Sequence, residues 1–160
     1  YPGGPVIEKA SLGIDSPVEL PRAWLKGTDD FSFSGLKTAS LHMARKLGIG
    51  PGENNPAAAN LAREVAAGFQ ESVVDVLVTK TCQAAENYQV KQILLAGGVA
   101  ANSVLRDSIK ERSRVPVQIP SPVLCTDNGA MIASCGFFRF PQRQTSNWDL
   151  DVNPNLKIVG

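Results

Sequence analysis

The residues best suited to hold a ligand are Gly97-Gly98-Val99-Ala100-Ala101-Asn102, which follow the short apolar run Ile93-Leu94-Leu95-Ala96. Two glycines at the end of a strand let the backbone approach a ligand closely. A helix opening just after them offers free N–H groups and a positive dipole end, which suit phosphate. Asn102 can donate and accept at that mouth. The same residues also make a tight turn with Asn102 as an ordinary helix cap, and the segment alone leaves both readings open. A second candidate is Asp127, within Cys125-Thr126-Asp127-Asn128. An aspartate that opens a helix after a strand lies at the carboxyl edge of a sheet, where α/β proteins bind ligands, and its carboxylate suits a metal. A plain cap is the competing reading.

A third candidate is Tyr1-Pro2-Gly3-Gly4-Pro5, a turn whose backbone can meet a ligand, with Glu8 one helical turn later. Glu8 is placed to accept from a ribose hydroxyl pair, or it is a solvated helix glutamate. His42 is the only histidine. Without a second His or Cys at a ligand spacing, it reads as structural. Cys82, Cys125 and Cys135 share no CxxC spacing, which suits packed thiols in a reducing compartment better than disulfides or zinc. Lys37, Arg45 and Lys46 lie on or near one helix, where a solvated face is the default and a phosphate-bearing partner the alternative. No Ser/His/Asp order, H-E-x-x-H pair or Walker loop is present.

Elements must hold these groups in place. The patterns predict a short helix over Pro5–Ala10, loop over 13–30, a strand at Asp30–Gly35 and a helix over Leu36–Leu47. Asn54-Asn55-Pro56 then starts a long helix over about 57–87. Its Leu61, Val65, Phe69, Val73, Val76 and Leu77 recur at steps of three and four, as one apolar face. Ile93–Ala96 reads as a strand buried on both faces, 102–112 as a helix, Val115–Ile119 as a strand near an edge and 128–139 as a last helix, with 141–160 a tail. Alternating helices and strands indicate an α/β layered domain. The length of 160 residues suits one domain with a real core, and a net charge of +1 advertises neither nucleic acid nor membrane. No apolar run reaches the length of a membrane span and no signal peptide is visible. The opening at Tyr1 reads as a cut inside a longer protein.

Taken together and in this order, five segments resemble the C-terminal half of the TsaD family, long known as O-sialoglycoprotein endopeptidases or glycoproteases. They are Tyr1–Pro5, Asp30–Lys37, Phe69-Gln70-Glu71-Ser72-Val73-Val74-Asp75, Leu95–Asn102 and Cys125–Asn128, and the resemblance covers about residues 1–140. It implies an actin-like ATPase fold of the sugar kinase, Hsp70 and actin type. In that fold a mixed sheet is flanked by helices, and this chain would be the second of two domains around a nucleotide cleft. It implies transfer of a threonylcarbamoyl group from threonylcarbamoyl-AMP to the N6 amine of the adenosine 3′ of the anticodon. The adenine nucleotide, threonylcarbamoyl-AMP or ATP, would sit beside one divalent metal ion, iron or zinc. Carried over by residue, Asp127 matches the metal-ligating aspartate, Asn102 the substrate-binding asparagine, Gly4 a substrate-contacting glycine and Glu8 a nucleotide-contacting glutamate. Gly97 and Gly98 form the phosphate-side turn. No residue is assigned a catalytic proton transfer. The family's His-x-x-x-His metal pair belongs to the other domain and is absent here. The implied partners are tRNA, that N-terminal domain and accessory proteins of the pathway, with no membrane and a cytoplasmic, mitochondrial or plastid location. Three rivals stand beside this reading: a metalloprotease, as the older family name says, a phosphotransferase of the same fold, and a non-catalytic module.

Overall fold

The computed structural model describes residues 3–50, 55–142 and 146–155. Tyr1 and Pro2 of the first turn, residues 51–54 of the Gly/Pro break and parts of the tail lie outside the described residues. The chain divides into two compact units, Tyr1–Thr126 and Asp127–Gly160. The first carries α1 (Gly3–Ser11), α2 (Ser34–Lys46), α3 (Pro56–Asn87), β1 (Ile93–Leu94), α4 (Ser103–Arg112), β2 (Val117–Gln118) and α5 (Pro122–Cys125). The second carries α6 (Gly129–Arg139).

α3 organises the first unit. Asn55 caps it by accepting from Ala57 N at 2.9 Å, and Pro56 occupies the first turn, where a missing N–H costs nothing. Residues on one side are Val65, Gly68, Ser72, Val76 and Lys80, and on the other Ala67, Val74, Val78 and Ala85; all of these are buried. The expected single apolar stripe is therefore replaced by two. Val65 and Val76 are buried as expected, Leu61, Phe69, Val73 and Leu77 are only half-buried, and Val74, Val78 and Ala85 form the second face. A helix packed on two sides needs no stripe at the 3.6 period.

The two faces use different chemistry. Val74, Val78 and Ala85 pack with Ile93, Leu105 and Ile109 into the apolar core. The opposite face grips the 18–30 segment with polar hooks. Ser72 Oγ donates to Leu20 O at 3.2 Å, and Lys80 Nζ donates to Trp24 O at 3.0 Å and to Asp30 O. Gly68 permits the closest approach, since a Cβ there would lie 1.9 Å from Val18 O.

β1, α4 and β2 form a parallel β–α–β unit, with Ile93 opposite Val117 and Leu94 opposite Gln118. Ile93 is buried but Leu94 is 68% exposed, so the expectation of a strand buried on both faces fails at Leu94. The core formed by α3 and α4 lies on the Ile93 side alone. The expected strand at Asp30–Gly35 is also absent. Phe31 and Phe33 stack on each other at 6.4 Å, Lys80 sits 5.6 Å from the Phe31 ring centre and takes the Asp30 carbonyl, and α2 starts at Ser34. With that carbonyl held by a side chain, the segment does not pair as a strand. The described residues are mostly helical around this two-stranded parallel sheet.

In the second unit Asn128 caps α6 by accepting from Met131 N at 3.0 Å. No residue of α6 is buried. No helix among the described residues is long and apolar enough to cross a membrane.

Candidate functional site

The β1–α4 connection is built as its residues dictate. Gly97 has φ +92°, a conformation that glycine alone adopts without strain. A short 3-10 turn, Gly98–Ala101, follows and exposes Gly97, Gly98 and Val99. A Cβ on Gly98 would meet nothing within 4 Å, so the backbone there is open to an approaching group. Arg106 braces the turn from behind. Its Nε donates to Ala100 O, and its Nη2 donates to Pro120 O at 2.8 Å and lies 3.1 Å from Cys125 Sγ. One guanidinium thereby ties the loop after β1 to the loop after β2, the role its planar fork of donors suits.

α4 opens at Asn102, whose Oδ1 accepts from Leu105 N at 2.9 Å. The sequence pattern suggests free N–H groups at this helix end, but two of them are taken, by Glu8 and by Asn102. Ser103 donates to Glu8 Oε1 from its backbone N at 2.8 Å and from its hydroxyl at 2.7 Å. A carboxylate at a helix N-terminus is favoured by the dipole, and here it comes from α1, 95 residues away in sequence. The structure thus brings Glu8 and Asn102 to one corner. Gln70 joins them: Asn102 Nδ2 donates to Gln70 Oε1 at 2.8 Å, and Gln70 Nε2 donates to Ser11 Oγ at 2.8 Å. Sequence reasoning placed Gln70 inside a family motif without a role. Its only signal was a polar residue one step from the buried positions of a helix.

Gly4 lies in the first turn of α1, exposed, and a Cβ there would meet nothing within 4 Å. His42 is exposed on α2. Asp127 is exposed and belongs to the second unit, so its geometry is described with α6 alone. Among the described residues no group of three or more His, Cys, Asp and Glu side chains lies close enough to hold a metal ion. The described donors do not by themselves fit a metal; Asp127 offers one ligand. Cys125 is buried, Cys82 half-buried and Cys135 exposed, all free thiols. Burial pushes the Cys82 thiol up from its ordinary value, against the opposing pull of Arg112.

The family model of TsaD, tRNA N6-adenosine threonylcarbamoyltransferase, matches residues 1–134. The chain belongs to the TsaD family. Over 159 residues it is 51% identical to the tRNA N6-adenosine threonylcarbamoyltransferase of Dehalococcoides mccartyi, covering 99% of this chain and 46% of that protein. A protein of the same name from Geobacillus thermodenitrificans is 50% identical over 167 residues, again 99% of this chain and 46% of the relative. One from Thermomicrobium roseum is 43% identical over 178 residues, 99% of this chain and 47% of the relative. The chain spans about half the length of the curated relatives it matches. The corner of Glu8, Gln70 and Asn102, the 3-10 turn and Asp127 all fall inside the TsaD match.

Proposed function

We propose that this chain is the C-terminal half of a tRNA N6-adenosine threonylcarbamoyltransferase, with residues 1–140 as one domain of an actin-like, two-domain fold and 141–160 as its tail. The observation that carries the reading is the meeting of Glu8 and Asn102 across the α4 N-terminus, inside a chain about half identical to proteins of that name. In this reading the corner and the Gly97–Gly98 turn form one wall of an adenylate site. The open turn lets backbone N–H groups reach the phosphate, and donors fixed in advance stabilise the adenylate as it leaves. Asn102 meets the substrate with its side-chain amide. Glu8 has Oε1 anchored on Ser103, which leaves its other carboxylate oxygen to accept from a ribose hydroxyl. Gly4 approaches the same ligand through its backbone. The N6 amine of a tRNA adenosine attacks the threonylcarbamoyl carbonyl, the C–O bond to the adenylate breaks, AMP departs with the negative charge, and the proton lost from the amine passes to solvent.

Asp127 contributes one ligand to a divalent metal ion, iron or zinc, shared with a histidine pair supplied by the N-terminal half. The tRNA, that half and accessory proteins of the pathway are the partners, in the cytoplasm. The deciding experiment joins this chain to the N-terminal half of the Dehalococcoides relative. It then assays threonylcarbamoyl transfer to tRNA beside glycoprotein cleavage and phosphoryl transfer from ATP. Modified tRNA is the expected product. Robust cleavage, or a phosphorylated product, with no modified tRNA would overturn the reading.

A further inference from the structure

A closed ring of hydrogen bonds runs through the α1–α3–α4 corner, and one residue sets its direction. Ser11 Oγ donates to Glu8 O at 2.8 Å, Gln70 Nε2 donates to Ser11 Oγ, and Asn102 Nδ2 donates to Gln70 Oε1. Asn102 is the chain neighbour of Ser103, which returns the ring to Glu8 through its backbone N and hydroxyl. Ser11 is buried, and Gln70 and Asn102 are half-buried.

The side-chain amide of Gln70 accepts at one end and donates at the other. A carboxylate of the same length only accepts, and an aliphatic side chain does neither. Because Gln70 presents its oxygen to Asn102, the Asn102 amide must turn its nitrogen toward α3. Its oxygen then points along α4, where it accepts from Leu105 N. The ring therefore fixes which way round the Asn102 amide stands. What it leaves Asn102 for a ligand is the second Nδ2 hydrogen and the second lone pair of Oδ1.

We propose that Gln70 is a positioning residue for nucleotide recognition: it orients the Asn102 amide, so that this amide meets an adenosine nucleotide in a fixed geometry. This rests on the reading of Asn102 and Glu8 as the nucleotide wall. Gln70 itself touches no substrate in this account. Its effect belongs to the KM for the adenylate and passes through Asn102.

The test uses the intact two-domain enzyme and measures KM for threonylcarbamoyl-AMP, KM for tRNA and kcat in Gln70→Leu, Gln70→Glu, Asn102→Ala and the double variant Gln70→Leu with Asn102→Ala. Gln70→Leu is expected to raise the adenylate KM about tenfold, the scale of one well-placed hydrogen bond, with the tRNA KM unmoved. Gln70→Glu keeps the acceptor for Asn102 and loses only the donor to Ser11, so its adenylate KM is expected within about threefold of the parent. In the Asn102→Ala background Gln70→Leu is expected to add nothing, because its target is gone. If Asn102→Ala leaves the adenylate KM unchanged, the site reading fails and the proposal with it. If Asn102→Ala weakens the adenylate but Gln70→Leu does not, or if the two effects multiply, the site reading stands and the role of Gln70 is overturned. A Gln70→Leu variant that does not fold is replaced by Gln70→Met, which keeps the side-chain volume and faces the same outcomes.

Discussion

Two helices in this protein open with the same local device, and they differ in how much of each helix is buried. Asn102 caps α4 by accepting from Leu105 N at 2.9 Å, and Asn128 caps α6 by accepting from Met131 N at 3.0 Å. At α4 the cap is set in a frame drawn from elsewhere in the chain: Gln70 of α3 holds its amide and Glu8 of α1 takes the next backbone N–H. α4 also buries Leu105 and Ile109 in the core, whereas α6 buries no residue. The difference teaches that an asparagine cap is a local event worth about 1 kcal/mol, and that position in the fold decides whether it becomes part of a site.

The largest expected effect is on α3, the helix that carries Gln70. Gly68→Ala places a Cβ 1.9 Å from Val18 O and so forces the 18–30 segment off α3. The expected cost is about 3 kcal/mol or more, seen as a lowered midpoint in denaturant melts, because backbone cannot give way as a flexible side chain can. A melt unchanged within error would mean that the 18–30 segment and α3 are not packed as described.

On the α6 side, Asp127→Ala is expected to remove the metal from the intact enzyme while leaving it folded, since Asp127 is exposed. Metal content by elemental analysis checks this, and an unaltered stoichiometry refutes the ligand assignment. The two caps can then be compared directly for stability. Asn102→Ala removes a helix cap and strands the Gln70 acceptor in a half-buried setting, for about 2 kcal/mol. Asn128→Ala frays a helix with no buried residue and is expected to cost about 0.5 kcal/mol. Equal losses in urea melts would erase the distinction between the two helix starts.

The smallest effect is kinetic. Cys135, exposed on α6, is expected to be alkylated first, Cys82 more slowly and Cys125 last. Burial raises the Cys82 pKa, so less of it is thiolate at neutral pH, and its reactivity should rise only as the pH climbs past the ordinary thiol range. Cys125 is buried against the Arg106 guanidinium. Mass spectrometry of iodoacetamide time courses reads the order, and early modification of Cys125 would show that the Arg106 clamp opens.

Much of this was legible before any coordinates. The helices other than α5, and the two strand positions, follow from apolar spacing, from Pro56 after Asn55, and from the Gly97-Gly98 break. Glu8 and Asn102 were identifiable as residue types suited to a nucleotide, and as matches to a family pattern. Their joining was not, because the bonds between Glu8 and Ser103 close a loop of 95 residues that no local pattern encodes. The second face of α3 was hidden for a related reason. Val74 and Val78 fall off the stripe that Val65 and Val76 define, and only packing on both sides explains their burial. The strand expected at Asp30–Gly35 failed because alternation of Phe31 and Phe33 with polar residues is satisfied equally by stacked rings and a lysine on the Asp30 carbonyl. Gln70 escaped notice because a glutamine on a helix carries no signal until its two neighbours are known.

The most direct test of the account is the affinity of the intact enzyme for threonylcarbamoyl-AMP in Asn102→Ala and Asn128→Ala, measured side by side. The account predicts a loss of about tenfold or more for Asn102→Ala and an affinity within twofold of the parent for Asn128→Ala. Equal affinities in the two variants, or a loss confined to Asn128→Ala, would contradict it.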